Sequence, residues 1–134
     1  MTIPWIPRIV RSTLLAGLLA SATVLSAPIA AADPEPVLGT PFIDGAIGYG
    51  TARPEELSQG GTCGGDVILK ITWDSWGGPT ASGRGVKCLT AGEAAEGQQP
   101  ERVALTASDL GPCHGKLAYR TLAVGASSPD PVCR

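Results

Sequence analysis

The sequence has few aromatic residues and little charge. Aromatic residues make up 4% of its 134 residues and charged residues 16%, whereas glycine occurs 18 times. A domain with so few large side chains buries little apolar surface for each residue that it orders. We therefore expect the fold to need a source of stability besides its core.

The sequence also lacks the residue patterns on which most enzymes depend. His114 is its one histidine, and it adjoins Cys113, which we expect to be oxidised and hence not a nucleophile. The stretch 125–129, GASSP, lacks the last glycine of the G-x-S-x-G nucleophile elbow. No HExxH or EF-hand spacing occurs, and no spacing pairs two carboxylates. We predict that the chain is not an enzyme and has no cofactor or metal site.

The N-terminal segment has the three parts of a secretory signal. Arg8 and Arg11 precede an apolar stretch that runs from Leu14 to about Ile29, and three alanines end at Ala32. Pro28 keeps the apolar stretch below the roughly 20 residues that span a bilayer. The sequence predicts that residues 1–32 are a signal peptide and that the protein is secreted, extracellular or held in the cell envelope, with no membrane attachment after cleavage.

Removal of the signal would leave a small acidic chain. It would have 134 − 32 = 102 residues, and its formal charge would be 8 − 12 = −4. Such a balance lacks the basic footprint of a protein that binds nucleic acid and the polybasic patch that anionic membranes attract. The predicted partner is therefore a polymer or protein of the cell envelope.

Four cysteines offer the missing stability. Cys63, Cys88, Cys113 and Cys133 are an even number in an exported chain, which predicts two disulfides. Their spacings of 20 to 25 residues and the single histidine do not favour zinc. In an up-and-down meander, the pairs 63–88 and 113–133 would each meet at one end of the sheet. Other connectivities remain open, because sequence alone does not fix them.

The second half of the chain alternates between strand and turn patterns. The predicted strands are 67–73, 83–89, 102–107 and 116–124, and glycine- and proline-containing loops separate them. In the first strand, period-2 geometry places Val67, Leu69, Ile71 and Trp73 on one face. The predicted fold class is all-β: a small antiparallel sandwich or partly open barrel over residues 62–134.

Residues 33–61 are predicted to be an extended arm and loop rather than core. Within them, residues 42–50, FIDGAIGYG, are apolar enough to dock as a short strand or hairpin. The arm begins with the proline-stiffened Asp33–Pro36. Within it, Arg53–Leu57 is a candidate helical turn, because proline suits the first helical position and acids suit the first turn. The Glu93–Glu96 region further along is predicted to be a solvated loop.

Two tryptophans stand three residues apart where the first strand ends. Trp73 falls on the predicted core face, but Trp76 lies where the strand gives way to glycine. Trp76 either folds back as a lid over the edge of the core or stands exposed to stack on a sugar or fill a partner's pocket. The shortage of other aromatic side chains favours the lid, and Trp76 is the one candidate binding residue.

The segment around these tryptophans resembles a known group of proteins. Residues 71–78, ITWDSWGG, followed by Ala81, Gly83 and Gly85, are similar to the I-x-W-x-x-W-G…A-x-G-x-G core of small exported actinobacterial proteins, mycobacterial and streptomycete. The similarity extends over roughly residues 63–124. It implies export and a β fold, and it supplies no catalytic residue.

These observations predict an exported, non-enzymatic domain that binds a partner or polymer at or outside the cell envelope. The alternative is a secreted protease inhibitor. That function needs an exposed, rigid loop clamped by a disulfide, and residues 111–115, GPCHG, are the nearest candidate.

Overall fold

The computed structural model describes residues 2, 4, 23–29, 33–64 and 66–134. The chain divides into two compact units, Met1–Ala31 and Ala32–Arg134. The predicted signal peptide lies largely outside the described residues, and those of its residues that are described have no regular secondary structure. Among the described residues, no helix has both the length and the apolar character needed to cross a bilayer.

The second unit is built on one curled sheet. The elements are β1 (Val37–Leu38), β2 (Ile68–Trp73), β3 (Ala81–Lys87), α1 (Ala91–Ala95), β4 (Arg102–Cys113), β5 (Lys116–Val124) and β6 (Asp130–Pro131). The strand order in the sheet is β1-β5-β4-β3-β2, with β6 also paired to β5. All pairs are antiparallel except β1 with β5. The sheet forms an open half-barrel, which confirms the predicted all-β fold.

Strand β2 contains a bulge that changes which side chains are buried. Leu69 pairs with Val86 but Thr72 pairs with Arg84, so two residues of β2 lie opposite one residue of β3. The first of these two, Lys70, has a φ of 52°. The extra residue breaks the alternation, and Ile68 and Ile71 are both buried. The prediction that Leu69 shares one face with Val67, Ile71 and Trp73 is therefore wrong.

Strand β3 turns small residues toward the core. Ala81, Gly83 and Gly85 alternate with exposed residues and are buried. Trp73 lies directly opposite Gly83 in the pairing of β2 with β3. Because Gly83 has no side chain, the indole of Trp73 lies directly against the strand and fills the space that a side chain at position 83 would occupy.

The Trp73 ring and the Thr72 carbonyl leave no room for a side chain at Gly83. A Cβ added at Gly83 would lie 2.8 Å from the Thr72 carbonyl oxygen and 2.9 Å from the Trp73 ring. We expect Gly83→Ala to lower the free energy of unfolding by about 1–3 kcal/mol, as measured by urea denaturation. Gly61→Ala is the control, because its added Cβ would have no neighbour within 4 Å. Equal unfolding midpoints for the two variants would contradict the packing described.

Strands β4 and β5 form one long hairpin. Their pairing runs without a shift from Leu105–Val124 to Cys113–Lys116, and the turn consists of His114 and Gly115, with φ values of 46° and 78°. Positive φ at both positions is the type I′ geometry that matches the twist of a hairpin. The predicted loop over residues 109–115, DLGPCHG, is therefore wrong for residues 109–113, which belong to β4, and only its last two residues form the turn. Pro112 is tolerated because β3 pairs with β4 only over residues 102–107, which leaves that edge open.

The predicted arm is part of the core. Leu38 and Leu57 are both fully buried. Isolated bridges join Leu57 to Ile68 and Ile47 to Ser58, while the Leu38 N–H donates to the Thr51 carbonyl at 2.9 Å. The expectation that residues 33–61 lie outside the core is therefore wrong, because their main chain pairs with both edges of the curled sheet.

The same pairing replaces the predicted helical turn at Arg53–Leu57. The Ile71 N–H donates to the Glu55 carbonyl at 2.9 Å, and the Leu57 and Ile68 main chains exchange two hydrogen bonds of 2.9 Å. These bonds hold the segment extended along β2. A single isolated turn offers too few hydrogen bonds of its own to compete with them.

A short helix stands where a loop was predicted. In α1, the Thr90 hydroxyl accepts from the Glu93 N–H at 3.1 Å, and the Thr90 N–H donates to the Glu93 carboxylate at 2.8 Å. The Thr90 hydroxyl also donates to the Glu93 carboxylate at 3.0 Å. The N–H and the hydroxyl of Thr90 together hold the pKa of the Glu93 carboxyl below its usual value. This capping box could have been found in the sequence, because threonine followed three residues later by glutamate is its pattern.

The two disulfides join Cys63 to Cys88 and Cys113 to Cys133. Both favoured pairings are confirmed. The first links the segment before β2 to the residue after β3, and the second links the end of β4 to the tail. The tail runs back along β5, with the Val132 N–H donating to the Arg120 carbonyl at 2.8 Å.

Candidate functional site

The structure places Trp76 against the core. Its ring lies edge-on to Trp73 and Tyr119, with centroid distances of 4.7 and 5.1 Å. Its indole N–H donates to the Pro36 carbonyl at 3.0 Å. The residue is half-buried and lines a cleft beside Leu117 and the start of the arm. These contacts favour the lid over a free stacking platform, because the ring and its one donor already have partners.

Trp73 holds the arm in the same way. Its indole N–H donates to the Pro54 carbonyl at 2.9 Å, and its ring lies against Gly83. The two tryptophans therefore fix the arm to the sheet at two points, Pro36 and Pro54. The two rings also contact each other, so both tryptophans act in packing the arm against the sheet.

The single histidine lies beside the second disulfide. The ligand atoms of His114, Cys113 and Cys133 come within 4.8 Å of one another. Both sulfurs are bonded to each other, so neither is a thiolate that holds a metal or attacks a substrate. His114 Nε2 lies 2.8 Å from the main-chain oxygen of Arg134, which ties the turn to the tail.

The candidate inhibitor loop is not a loop for most of its length. Residues Gly111–Cys113 belong to β4, and His114 and Gly115 alone form the turn. A two-residue turn is shorter than the exposed, disulfide-clamped loop on which the prediction depends. The position predicted for inhibition therefore lacks the exposed loop that this function needs.

A basic groove crosses the outer face of β2, β3 and β4. It has a volume of about 440 Å³. Pairing of Thr72 with Arg84 and of Val86 with Arg102 brings its walls together. The residues that form this basic groove are chiefly Lys70, Thr72, Arg84, Val86, Arg102 and Ala104.

The groove concentrates positive charge on a chain that is acidic overall. Lys70, Arg84 and Arg102 are exposed, and they are three of the eight basic residues in 33–134. Arg84 lies 2.9 Å from the Asp74 carboxylate, while within residues 33–64 and 66–134 neither Lys70 nor Arg102 forms an ion pair. The groove thus keeps two unpaired cations above a floor of small and aliphatic side chains.

Sequence reasoning missed this groove. The net charge of the predicted exported chain points away from an anionic partner, because it averages over all surfaces. The available signal is a basic residue on each of three adjacent strands, at Lys70, Arg84 and Arg102. Reading that signal requires the strand pairing and the position of the bulge, which place the three side chains on the same face.

Comparison of the chain with protein-family models, with curated proteins and with solved structures finds no match. The resemblance to exported actinobacterial proteins therefore stays a prediction.

Proposed function

We propose that this protein is an exported, non-enzymatic domain that binds an anionic polymer of the cell envelope through the basic groove. The observation that carries the proposal is the clustering of Lys70, Arg84 and Arg102 around one open groove. The ligand would be a polysaccharide or polyol chain with phosphate or carboxylate groups.

The shape of the groove supports a linear ligand. It lies open along the outer face of three strands, and an exposed sheet face of a small barrel is a surface on which other domains bind oligosaccharides and oligonucleotides. An extended polymer pays little to fit an open groove, since no lid must close over it. The aliphatic floor of Val86 and Ala104 would contact the uncharged parts of each repeating unit.

The electrostatics support an anionic ligand. Each cation that neutralises a polymer charge releases condensed counterions, which favours binding at low salt. Asp74 offsets Arg84, so Lys70 and Arg102 would supply most of the attraction. A guanidinium also binds carboxylate or phosphate through two parallel hydrogen bonds.

The disulfides support export. Both cysteine pairs are bonded, and no described cysteine is free. Disulfides persist in secreted and envelope compartments and are rare in the cytoplasm. The predicted signal peptide supports the same location.

A pair of double variants tests the proposal. Lys70→Gln with Arg102→Gln removes the two unpaired cations of the groove. We expect this variant to bind immobilised poly(glycerol phosphate) or polyglucuronate about tenfold more weakly, since two exposed contacts together contribute about 1.4 kcal/mol. The two polymers distinguish phosphate from carboxylate ligands. Immobilised neutral dextran is the negative control and should retain neither the unchanged protein nor the double variant.

The matched control changes the same charge elsewhere. Arg53 pairs with Glu35, and Lys116 begins β5 at the far end of the hairpin. Arg53→Gln with Lys116→Gln should bind within about twofold of the unchanged protein. Equal weakening of the two double variants would mean that net charge alone decides retention, and the groove would lose its role.

A further inference from the structure

A second cavity opens at one end of the half-barrel, away from the basic groove. It lies where β2 begins and where β3 and β5 end, and it has a volume of about 270 Å³. Its floor consists of Ile68, Leu122 and Val132, each of which is less than 5% exposed. Half-buried Val124 and Tyr49 line the cavity above this floor. The cavity is therefore preformed and mainly apolar, and it lies at the mouth of the half-barrel, a common place for small ligands.

The rim of this cavity is polar and negative. Asp66, Asp130 and Tyr49 lie on it, together with Lys87. The Lys87 ammonium is 3.5 Å from the Glu101 carboxylate, which offsets its charge. In the part of the chain that the structure describes, neither Asp66 nor Asp130 forms an ion pair. Among the described residues, two carboxylates outside any ion pair thus border the apolar floor, and the one cation on the rim is paired with Glu101.

The pKa of Tyr49 responds to the negative charge of this rim. Burial raises the pKa of its phenol, a hydrogen bond with the Gln59 side chain lowers it, and the charges of Asp66 and Asp130 raise it further. Gln59 Oε1 is buried and has no hydrogen-bond partner among the described residues. The phenol on the rim therefore lies in the negative field of Asp66 and Asp130, which a cationic ligand would offset.

We propose that this cavity binds a ligand with a short aliphatic body and a primary ammonium head group. The body would lie against Val124, above the floor of Ile68, Leu122 and Val132, and the ammonium would lie at the rim beside Asp66 and Asp130. An ammonium supplies three donors and one positive charge, which is what this rim is short of. The site is separate from the basic groove, so it does not depend on the proposed polymer binding.

A matched pair of probes tests this site. Pentylamine, which is an ammonium at neutral pH, and 1-pentanol have the same aliphatic body and differ in the head group. We expect pentylamine to bind about tenfold more tightly in titrations followed by backbone NMR shifts. The shifts should centre on Ile68, Leu122 and Val132. Equal affinity for the two probes, or shifts centred elsewhere, would overturn the proposal.

Two double variants separate the rim from net charge. Asp66→Asn with Asp130→Asn should remove the preference for the amine and leave pentanol binding unchanged, because the floor is intact. Asp44→Asn with Glu55→Gln makes the same charge change at exposed residues that do not line the cavity, and it should keep the preference. If the rim variant still prefers pentylamine over 1-pentanol by the same factor, the proposal is overturned. The comparison of the two probes in the unchanged protein tests the proposal even if a variant does not fold.

Discussion

Replacing all four cysteines with serine is expected to lower the free energy of unfolding by about 6 kcal/mol. The two bridges close segments with sequence separations of 25 and 20 residues, and loop closure gives each about 3 kcal/mol. Domains of this size have a total stability of about 5–15 kcal/mol. The fourfold variant should therefore lose a large share of its stability, seen as a lower urea midpoint and as an earlier loss of the near-ultraviolet circular dichroism signal on heating.

Single-bridge variants serve as controls for this prediction. Cys63→Ser with Cys88→Ser should lower the stability by about 3 kcal/mol and leave a folded sheet. Cys113 is buried, so loss of the second bridge also places a serine hydroxyl in the core, and chemical reduction of the unchanged protein separates the two effects. A reduced protein with the urea midpoint of the oxidised one would contradict this account of stability.

Tyr119→Ala is expected to lower the free energy of unfolding by about 3–5 kcal/mol. Tyr119 is fully buried and is among the largest side chains in the core. Its hydroxyl accepts from the Gly77 N–H at 2.8 Å and donates to the Gly78 carbonyl at 2.7 Å. Truncation would empty the centre of the core, remove a ring that packs on Trp76, and leave both main-chain groups without a partner.

Tyr119→Phe separates these contributions. It keeps the ring and removes the hydroxyl, so we expect a loss of about 1–3 kcal/mol from the two unsatisfied groups. Thr106→Ala, at an exposed position of the neighbouring strand, should change the stability by less than about 0.5 kcal/mol. Thermal and urea unfolding measure all three. A Tyr119→Ala protein as stable as the Thr106→Ala protein would show that Tyr119 is not the centre of the core.

The sequence was most informative where the pattern is local. The predicted strand 116–124 matches β5, Lys116–Val124, because a run rich in residues that favour strands directly follows the glycine of a turn. The disulfide pairs were predicted because a meander brings strand ends together, and that geometry depends on strand order alone.

It was least informative where pairing between distant segments decides the structure. Leu38 and Leu57 lie among prolines, glycines and charged residues, so nothing near them signals a core position. They are buried because the arm completes the edges of the curled sheet. The bulge at Lys70 could not be predicted either, because it is defined only by the register of β2 against β3.

The candidate site could not be predicted for a related reason. The basic groove draws Lys70, Arg84 and Arg102 from three strands, and the cavity at the end of the half-barrel draws Asp66 and Asp130 from positions far apart in the sequence. Trp76, the one residue that the sequence singled out, has its ring and donor engaged within the fold. Composition and net charge carry no information on such groupings.

The salt dependence of polymer binding tests the central claim most directly. The affinity of the oxidised protein for poly(glycerol phosphate) or polyglucuronate should fall linearly in a plot of log K against log salt concentration. With two to three cations engaged, the slope should be about −1.5 to −2.5. Absence of binding at low salt, or binding that does not change with salt, would contradict the account.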